Sequence, residues 1–281
     1  MEETFNLGST TVLRLGFGAM RITGPGIWGP PLDHAESIRV LRRAVDLGVD
    51  LIDTADSYGP YVSEELIREA LHPYPEGLVI ATKAGLVRTG PDEWHPVGRP
   101  EYIRQECEMS LRRLGVETID LFQLHEPDPQ VPLEDEMGVF ADLQKEGKVR
   151  QVGVSNVTLS QLEVCMQGAQ VVSVQNIYNV TDRRHEDVLE RCTDEGIGFI
   201  PYDPLASGRL AGAQSPVADH ARRLGATPAQ VALAWLLHRS PVMLPIPGTS
   251  TVGHLEENMA AADLEMGPTD YEELNASART S

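Results

Sequence analysis

Short apolar runs alternate with longer amphipathic segments along almost the whole chain. Each apolar run carries hydrophobic residues on both faces, and the segment after it places apolar residues at helical spacing. This pattern is typical of strands that are buried on both faces and joined by helical crossovers, as in a parallel sheet. The predicted core strands are 13–19, 51–53, 78–82, 119–124, 149–154, 171–175, 197–201 and 242–246.

The segments between the strands predict helices. Asp33 has the type and position of an N-cap for the first helix, which is expected to run through Leu47. A small hairpin is predicted ahead of the first core strand, over residues 4–13. The further predicted helices are 63–71, 100–114, 133–146, 158–167, 182–195, the pair 216–224 and 228–239, one that begins near residue 252, and an appended helix at 268–278.

Eight strand–helix units fit an α/β protein of the (β/α)8 TIM barrel type, with an N-terminal β-hairpin and extra C-terminal helices. No shift in composition divides the chain, so one domain is expected over 1–281. A doubly wound parallel sheet is the alternative fold, but it usually carries a glycine-rich phosphate turn early in the chain. Gly16-x-Gly18 lacks the third glycine of that motif and no helix opens directly after it, which favours a glycine-containing strand end.

Composition excludes several classes of function. With a net charge of −19, the chain lacks the clustered cations that binding to nucleic acid or an anionic membrane requires. The three cysteines, Cys107, Cys165 and Cys192, are far apart and indicate a reducing compartment rather than a disulfide framework or a zinc site. The first residues do not resemble a signal peptide, and no apolar run is long enough to span a membrane, so a cytoplasmic protein is expected.

Reactive side chains are predicted at the C-terminal ends of three consecutive strands, where a barrel of this type holds its chemistry. Asp53, Lys83 and His125 end these strands, and Tyr58 lies on the loop that follows Asp53. Each has a structural alternative: an ion pair for Asp53 and Lys83, a core position for His125, and packing for Tyr58. The convergence of all four at one end of the barrel favours a catalytic set.

These four side chains suit a carbonyl group. A lysine cation is expected to lower the pKa of Tyr58 from its ordinary value of about 10, and Asp53 would hold Lys83 charged. His125 could donate a hydrogen bond to a substrate oxygen, and Tyr58 could protonate it. The set lacks a nucleophile–base pair for acyl transfer and a histidine–carboxylate cluster for a metal, so a cofactor must supply the hydride.

Ordered motifs along nearly the whole chain resemble the aldo-keto reductase family. The resemblance implies NAD(P)H-dependent reduction of an aldehyde or ketone without a metal, with Asp53, Tyr58, Lys83 and His125 as the catalytic tetrad. The segments that carry it are 16–20, 48–59, 81–83, 110–114 with 119–125, 147–156, and 246–249 with 255–258.

The resemblance also implies a coenzyme site. It assigns Ser155, Asn156 and Gln175 to the nicotinamide carboxamide and Tyr202 to the face of the ring, which suits an amide and a planar group. The pyrophosphate would be covered by 205–209. The full expected set is Gly18, Met20, Asp53, Ser155, Asn156, Gln175, Tyr202, Asp203, Leu205, Ser207, Arg209, Gly248, Thr249, Ser250, His254, Glu257 and Asn258.

Two departures from the family pattern bear on the coenzyme. Asp203 stands where a serine is common, and its carboxylate would repel a pyrophosphate unless it faces away or pairs with Arg209. The stretch 248–254 has hydroxyls and His254 but no lysine or arginine for the 2′-phosphate of NADPH. Backbone N–H groups at a helix N-terminus can also bind phosphate, so NADPH is the expected coenzyme and NADH stays possible.

The substrate is expected to be a small carbonyl compound. Trp28 and Trp94 lie in loops that would border it, as aromatic walls or as loop-packing residues. The loop 24–31 resembles that of a bacterial subgroup that includes pyridoxal reductases, which points to an aromatic aldehyde. A coenzyme-sensing regulatory barrel is the alternative, against which the intact tetrad argues. A sugar isomerase would usually need metal ligands that the strand ends do not supply.

Overall fold

A computed structural model describes residues 3–277 of the protein. The chain opens with an antiparallel hairpin of β1 (Thr4–Leu7) and β2 (Thr10–Leu13), as predicted. Gly8 turns the hairpin with a φ of 61°, a left-handed conformation that favours glycine.

Seven parallel strands form a curved sheet in the order β11-β10-β9-β8-β5-β4-β3. An antiparallel pair, β6 and β7, forms a separate hairpin where the sequence predicted an irregular loop. The strands are β3 (Phe17–Gly18), β4 (Leu51–Asp53), β5 (Val79–Ala84), β6 (Leu86–Gly90), β7 (Glu93–Pro96), β8 (Ile119–Leu124), β9 (Val149–Ser155), β10 (Val171–Ile177) and β11 (Gly198–Tyr202).

Residues 242–246 close the sheet into a barrel. On one side, Phe199 N–H donates to the Val242 carbonyl and Leu244 N–H donates to the Phe199 carbonyl, both at 2.8 Å. On the other side, Gly16 N–H donates to the Pro245 carbonyl at 2.9 Å. The (β/α)8 prediction is therefore confirmed and the doubly wound alternative is wrong.

Two predicted strands are shorter than expected. Residues 242–246 form an isolated parallel bridge rather than a regular strand, because Pro245 has no N–H to donate to a ladder. The strand predicted at 13–19 reduces to Phe17–Gly18, since Leu13 pairs within the hairpin and Ala19–Ile22 form a 3-10 helix.

The helices surround the barrel in the predicted order. Asp33 caps the first one by accepting from the Glu36 N–H at 2.8 Å. The sixth begins at Glu186 rather than 182, because Asn179 and Asp182 form a bridge before it. The helices are α1 (His34–Asp46), α2 (Val62–Leu71), α3 (Pro100–Leu114), α4 (Leu133–Lys145), α5 (Leu159–Gly168), α6 (Glu186–Glu195), α7 (Ala218–Leu224), α8 (Pro228–Arg239), α9 (Val252–Met259) and α10 (Pro268–Ser277).

The N-terminal hairpin covers one end of the barrel. Leu7 and Val12 are buried in one apolar cluster with residues of the barrel interior, among them Leu51 and Leu121. A Cβ atom on Gly198 would lie 3.1 Å from Leu7, so the hairpin packs tightly against β11. The hairpin therefore leaves the C-terminal ends of the strands as the open end, where the tetrad lies. No helix in residues 3–277 is long and apolar enough to cross a bilayer.

Candidate active site

Lys83 forms a buried ion pair at the C-terminal end of β5. Its side chain is fully buried, and the ammonium donates to Asp53 Oδ1 at 2.6 Å. It also donates to the Thr54 carbonyl at 2.8 Å and to Tyr58 Oη at 3.3 Å. An ammonium has three N–H groups, so these contacts engage all of them and orient the lysine fully.

The second carboxylate oxygen of Asp53 is also held. It accepts from Gln175 Nε2 at 2.8 Å and from Gln123 Nε2 at 3.2 Å. Ser173 Oγ in turn donates to Gln123 Oε1 at 3.1 Å. Gln175, expected at the coenzyme, thus also orients Asp53. Gln123 and Ser173 were missed, although a polar residue within an apolar strand was a usable signal.

Burial keeps a proton on Tyr58. Burial alone would lower the pKa of Lys83, but Asp53 and Tyr58 outweigh it and leave the pKa above its ordinary value. Burial raises the pKa of Tyr58, Lys83 only partly opposes this, and the Asp53 carboxylate adds to the rise. The expectation of a lowered tyrosine pKa is therefore wrong for the protein alone, because burial outweighs the lysine charge.

His125 lies beside Tyr58 as a neutral ring. The two rings meet edge to face with centroids 5.7 Å apart. Burial, with Lys83 and Arg88 adding to it, lowers the pKa of His125 well below its ordinary value. Its Nδ1 is 3.2 Å from Ser57 Oγ. When the serine donates to Nδ1, the proton of the imidazole is on Nε2 and can be donated to a substrate oxygen.

A cavity of about 920 Å³ opens at this end of the barrel. Asp53, Tyr58 and His125 border it, whereas Lys83 lies behind them. Every residue expected at the coenzyme borders the cavity except Arg209. The bordering residues that sequence reasoning missed include Arg21, Leu86, Glu126, Pro204, Ala211, Ala229, Ile246 and Pro247.

Two glycines form a close backbone crossing beneath the cavity. A Cβ atom on Gly18 would lie 2.6 Å from the Ile246 carbonyl oxygen, and one on Gly248 would lie 2.8 Å from the Gly18 carbonyl oxygen. Side chains at these positions could not be accommodated. Glycine at both positions therefore lets the two backbone segments that border the cavity approach each other closely.

The residues expected at the nicotinamide are already connected to one another. Asn156 adopts a left-handed conformation with a φ of 57°. Its Nδ2 donates to the His125 carbonyl at 3.1 Å, and its Oδ1 accepts from the Tyr202 hydroxyl at 2.9 Å. Burial raises the pKa of Tyr202 to about 12, so this donor is protonated. The Asn156 amide keeps a second N–H and a second lone pair with which to bind a carboxamide.

The Asp203 carboxylate, which was expected to repel a pyrophosphate unless it faced away or paired with Arg209, bonds within the loop after β11. Its Oδ1 accepts from the backbone N–H and the hydroxyl of Ser207, so the carboxylate is engaged within its own loop. Within residues 3–277, Asp203 forms no hydrogen bond or ion pair with Arg209, whose Nε donates to the Ala206 carbonyl at 3.1 Å. The structure therefore does not bring Arg209 to the cavity, contrary to the sequence expectation.

The cavity contains a cation beside Gly248 that the sequence analysis missed. The Val252 N–H at the start of α9 donates to Glu36 Oε1 at 2.9 Å, so this N–H is already engaged. Arg21 borders the cavity instead, and a Cβ on Gly248 would lie 3.5 Å from its Cγ. A search confined to 248–254 missed it, because the 3-10 helix that carries it is distant in sequence.

The two loop tryptophans have different positions. Trp94 borders the cavity, with its ring centroid 6.3 Å from those of both Tyr58 and His125. Trp28 is 36% exposed and does not border it. Trp94 therefore forms an aromatic wall of the cavity, whereas the structure does not bring Trp28 to the cavity, although the sequence analysis expected both beside the substrate.

Glu126 adds a carboxylate to the same region. It follows His125 and borders the cavity, and burial raises its pKa. Within residues 3–277, no lysine or arginine forms a salt bridge with it. Glu126 is therefore an acidic group of the cavity that is available to a ligand.

Fold and site together define a barrel oxidoreductase with a tyrosine, a lysine and a histidine at one cavity. The model of the aldo/keto reductase family matches residues 14–279. The chain belongs to the aldo/keto reductase family, as the resemblance implied, and it is an oxidoreductase.

Two relatives and one solved structure locate the chain within this family. It is 52% identical over 277 residues to an uncharacterized oxidoreductase of Schizosaccharomyces pombe, covering 99% of this chain and 90% of the relative. It is 42% identical over 285 residues to pyridoxine 4-dehydrogenase of Escherichia coli, covering 99% of each. An aldo/keto reductase from Klebsiella pneumoniae, solved with NADP and acetate, superimposes with a TM-score of 0.84 at 27% identity, covering 98% of this chain and 95% of that one.

Proposed function

We propose that the protein reduces an aldehyde on an aromatic ring with NADPH, and that Tyr58 donates the proton. The observation that carries this proposal is the Lys83 ammonium, bound at once to Asp53 and to the Tyr58 hydroxyl. Tyr58 borders the cavity and Lys83 lies behind it. This is the arrangement that a carbonyl reduction needs.

Each member of the set has a distinct task. The Nε2–H of His125 and the Tyr58 hydroxyl donate to the substrate carbonyl oxygen and polarise it. A nicotinamide coenzyme, which Asn156 and Gln175 would help to hold, would supply the hydride for the carbonyl carbon. Tyr58 transfers its proton to the oxygen, and Lys83 stabilises the phenolate that results. Asp53, held by Gln175 and Gln123, keeps Lys83 charged and aimed at the phenol.

A positive charge at the cavity supports NADPH as the coenzyme. Arg21 supplies a cation beside Gly248. The similar Klebsiella pneumoniae structure was solved with NADP. Three buried free cysteines agree with a cytoplasmic location, which we also propose.

Arg21→Ala is expected to raise the KM for NADPH by about tenfold, and the KM for NADH by less. NADPH carries the additional phosphate, so losing a nearby cation weakens it more. The measurement is the KM of both coenzymes for wild type and variant, with the exposed Arg222→Ala as the matched control. A wild-type preference for NADH of about tenfold or more would overturn NADPH as the coenzyme.

Two groups at the cavity support an aromatic aldehyde that carries a hydrogen-bond donor or a positive charge. Trp94 supplies an aromatic wall next to Tyr58 and His125. Glu126 supplies a carboxylate that forms no salt bridge within residues 3–277. Pyridoxal is an aromatic aldehyde, and its pyridine nitrogen carries a positive charge and an N–H donor when it is protonated. One relative is named pyridoxine 4-dehydrogenase.

Coenzyme consumption with pyridoxal and 4-nitrobenzaldehyde tests the proposal. Wild type is expected to reduce both, and Glu126→Gln is expected to lower kcat/KM for pyridoxal by about tenfold while barely changing that for 4-nitrobenzaldehyde. The exposed Glu163→Gln serves as the matched control. A wild type that binds coenzyme but is as inert as Tyr58→Phe would favour the regulatory alternative, which the relatives named above do not support.

A further inference from the structure

We propose that Arg88 is a positioning residue that sets the shape of the substrate pocket by fastening three loops around its guanidinium. This inference rests on the proposed function, because it concerns the substrate side of the same cavity. Arg88 lies on β6, outside every motif that identified the tetrad.

The guanidinium of Arg88 makes one hydrogen bond with each of five backbone carbonyls. These carbonyls belong to the loop after β3, the loop after β4 and the β6–β7 hairpin, so one side chain joins three separate loops. The acceptors are Gly26 at 2.8 Å and Ile27 at 2.7 Å, Ser57 at 3.1 Å, and Gly90 at 3.2 Å and Glu93 at 2.8 Å.

A guanidinium has five N–H groups, so these five bonds match its whole donor capacity. Arg88 has no N–H left with which to bind an anionic substrate group. Its charge is engaged by carbonyl oxygens of the protein, and its role is therefore to hold the pocket in place rather than to contact substrate.

One of the loops that Arg88 joins has two consecutive residues in a left-handed backbone conformation. Gly26 and Ile27 both have positive φ, 68° and 54°, and this is unfavourable for the β-branched isoleucine. The Ile27 carbonyl also accepts from the Gly59 N–H at 3.2 Å, and the Gly26 carbonyl accepts from the Asp92 N–H at 2.9 Å. Arg88 thus bonds to the same carbonyls that link the loops directly.

Two contacts connect Arg88 to side chains that lie next to Tyr58 and His125. Its guanidinium carbon lies 3.6 Å from the centroid of the Trp94 ring, directly across the hairpin, in a cation–π contact. The Ser57 carbonyl accepts from Arg88, while the Ser57 hydroxyl lies at hydrogen-bond distance from His125. Arg88 therefore determines where the aromatic wall and the histidine partner stand relative to Tyr58.

Steady-state kinetics with three aldehydes test this role. Arg88→Met is expected to raise the KM for benzaldehyde about fivefold to tenfold more than the KM for propanal, because only the aromatic substrate uses Trp94. Arg88→Lys should not rescue, since three N–H groups on a single nitrogen cannot replace a planar fork of five. Arg222→Met, a substitution on an exposed surface, is the matched control.

The anionic 4-carboxybenzaldehyde separates positioning from charge recognition. Positioning predicts the same loss for benzaldehyde and for its carboxylate-bearing form. A loss confined to the carboxylate form, or a benzaldehyde-to-propanal KM ratio unchanged in Arg88→Met, would overturn the proposal. In a Trp94→Ala background, adding Arg88→Met should not reduce the aromatic preference further, because the wall through which Arg88 acts is already absent.

Tryptophan quenching provides a readout that does not depend on turnover. In a Trp28→Phe background, Trp94 is the accessible tryptophan, since Trp235 is fully buried. Arg88→Met should increase quenching of Trp94 by acrylamide, and unchanged quenching would contradict the proposal. Wild type inert toward all three aldehydes would instead refute the proposed function. If Arg88→Met does not fold, Arg88→Lys carries both measurements.

Discussion

Tyr58→Phe is expected to lower kcat for aldehyde reduction by roughly 10²- to 10⁴-fold, the usual contribution of a positioned general acid. The substitution removes the hydroxyl that lies 3.3 Å from the Lys83 ammonium and keeps the ring that contacts Trp94 and His125. The Kd for the coenzyme should therefore stay the same, because the ring and its neighbours are retained. Stopped-flow measurement of hydride transfer and fluorescence titration of the coenzyme give the two quantities.

The pH dependence of the wild type follows from the same phenol. Burial raises the pKa of Tyr58 above its ordinary value of about 10, so the proton is present throughout the neutral range. Reduction needs the protonated phenol, and its rate should fall only as pH rises through this elevated pKa. Alcohol oxidation needs the phenolate, so its rate should rise with pH below the same pKa. A reduction rate that falls near neutral pH, with no such fall in Tyr58→Phe, would contradict the raised pKa of Tyr58.

Tyr61→Phe is the matched control for Tyr58→Phe. Tyr61 lies three positions further along the same loop, is 41% exposed, and packs its ring over Arg113 at 4.2 Å. It does not border the cavity. Its substitution should leave kcat and coenzyme binding unchanged. Equal losses in the two variants would indicate that disturbance of the loop, rather than loss of the proton donor, is responsible.

The barrel and its tetrad could be predicted because their signals are local in the sequence. Each apolar run is short and followed by a helical repeat, and the residue that ends it must lie at the open end of the barrel. Asp53, Lys83 and His125 are therefore located by counting strands. The same reasoning overestimated the strands at 13–19 and 242–246, because a hairpin register and a proline interrupt pairing there.

The residues that shape the pocket could not be predicted, because they act across loops. Arg21, Arg88 and Glu126 carry ordinary surface charges in the sequence, and only the folded chain brings each to the cavity or its loops. Trp28 and Trp94 are equivalent by residue type and loop position. In the folded chain, Trp94 on β7 borders the cavity, whereas Trp28 in the loop after β3 is exposed and does not border it. The direction of the pKa shift of Tyr58 could not be predicted from the sequence either. It depends on the burial of the phenol and on how strongly Asp53 offsets the charge of Lys83, and both need the folded structure.

Lys83→Met is expected to reduce both stability and turnover, and the two losses have different causes. The fully buried ammonium pairs with Asp53 at 2.6 Å, so removing it leaves a buried carboxylate without its cation. Breaking a buried ion pair in this way costs about 3–5 kcal/mol in the free energy of unfolding. Turnover should fall by roughly 10²- to 10³-fold, because the phenolate of Tyr58 loses the group that stabilises it in the transition state.

The double variant Asp53→Asn/Lys83→Met separates these causes. Asparagine retains an oxygen for the bonds from Gln175 and Gln123 and carries no charge, so most of the lost stability should return. Turnover should stay low, since no cation faces Tyr58. Chemical denaturation and stopped-flow hydride transfer measure the two quantities on the single and double variants. Recovery of turnover together with stability would mean that Lys83 supports the fold alone, and that the proton of Tyr58 needs no neighbouring charge.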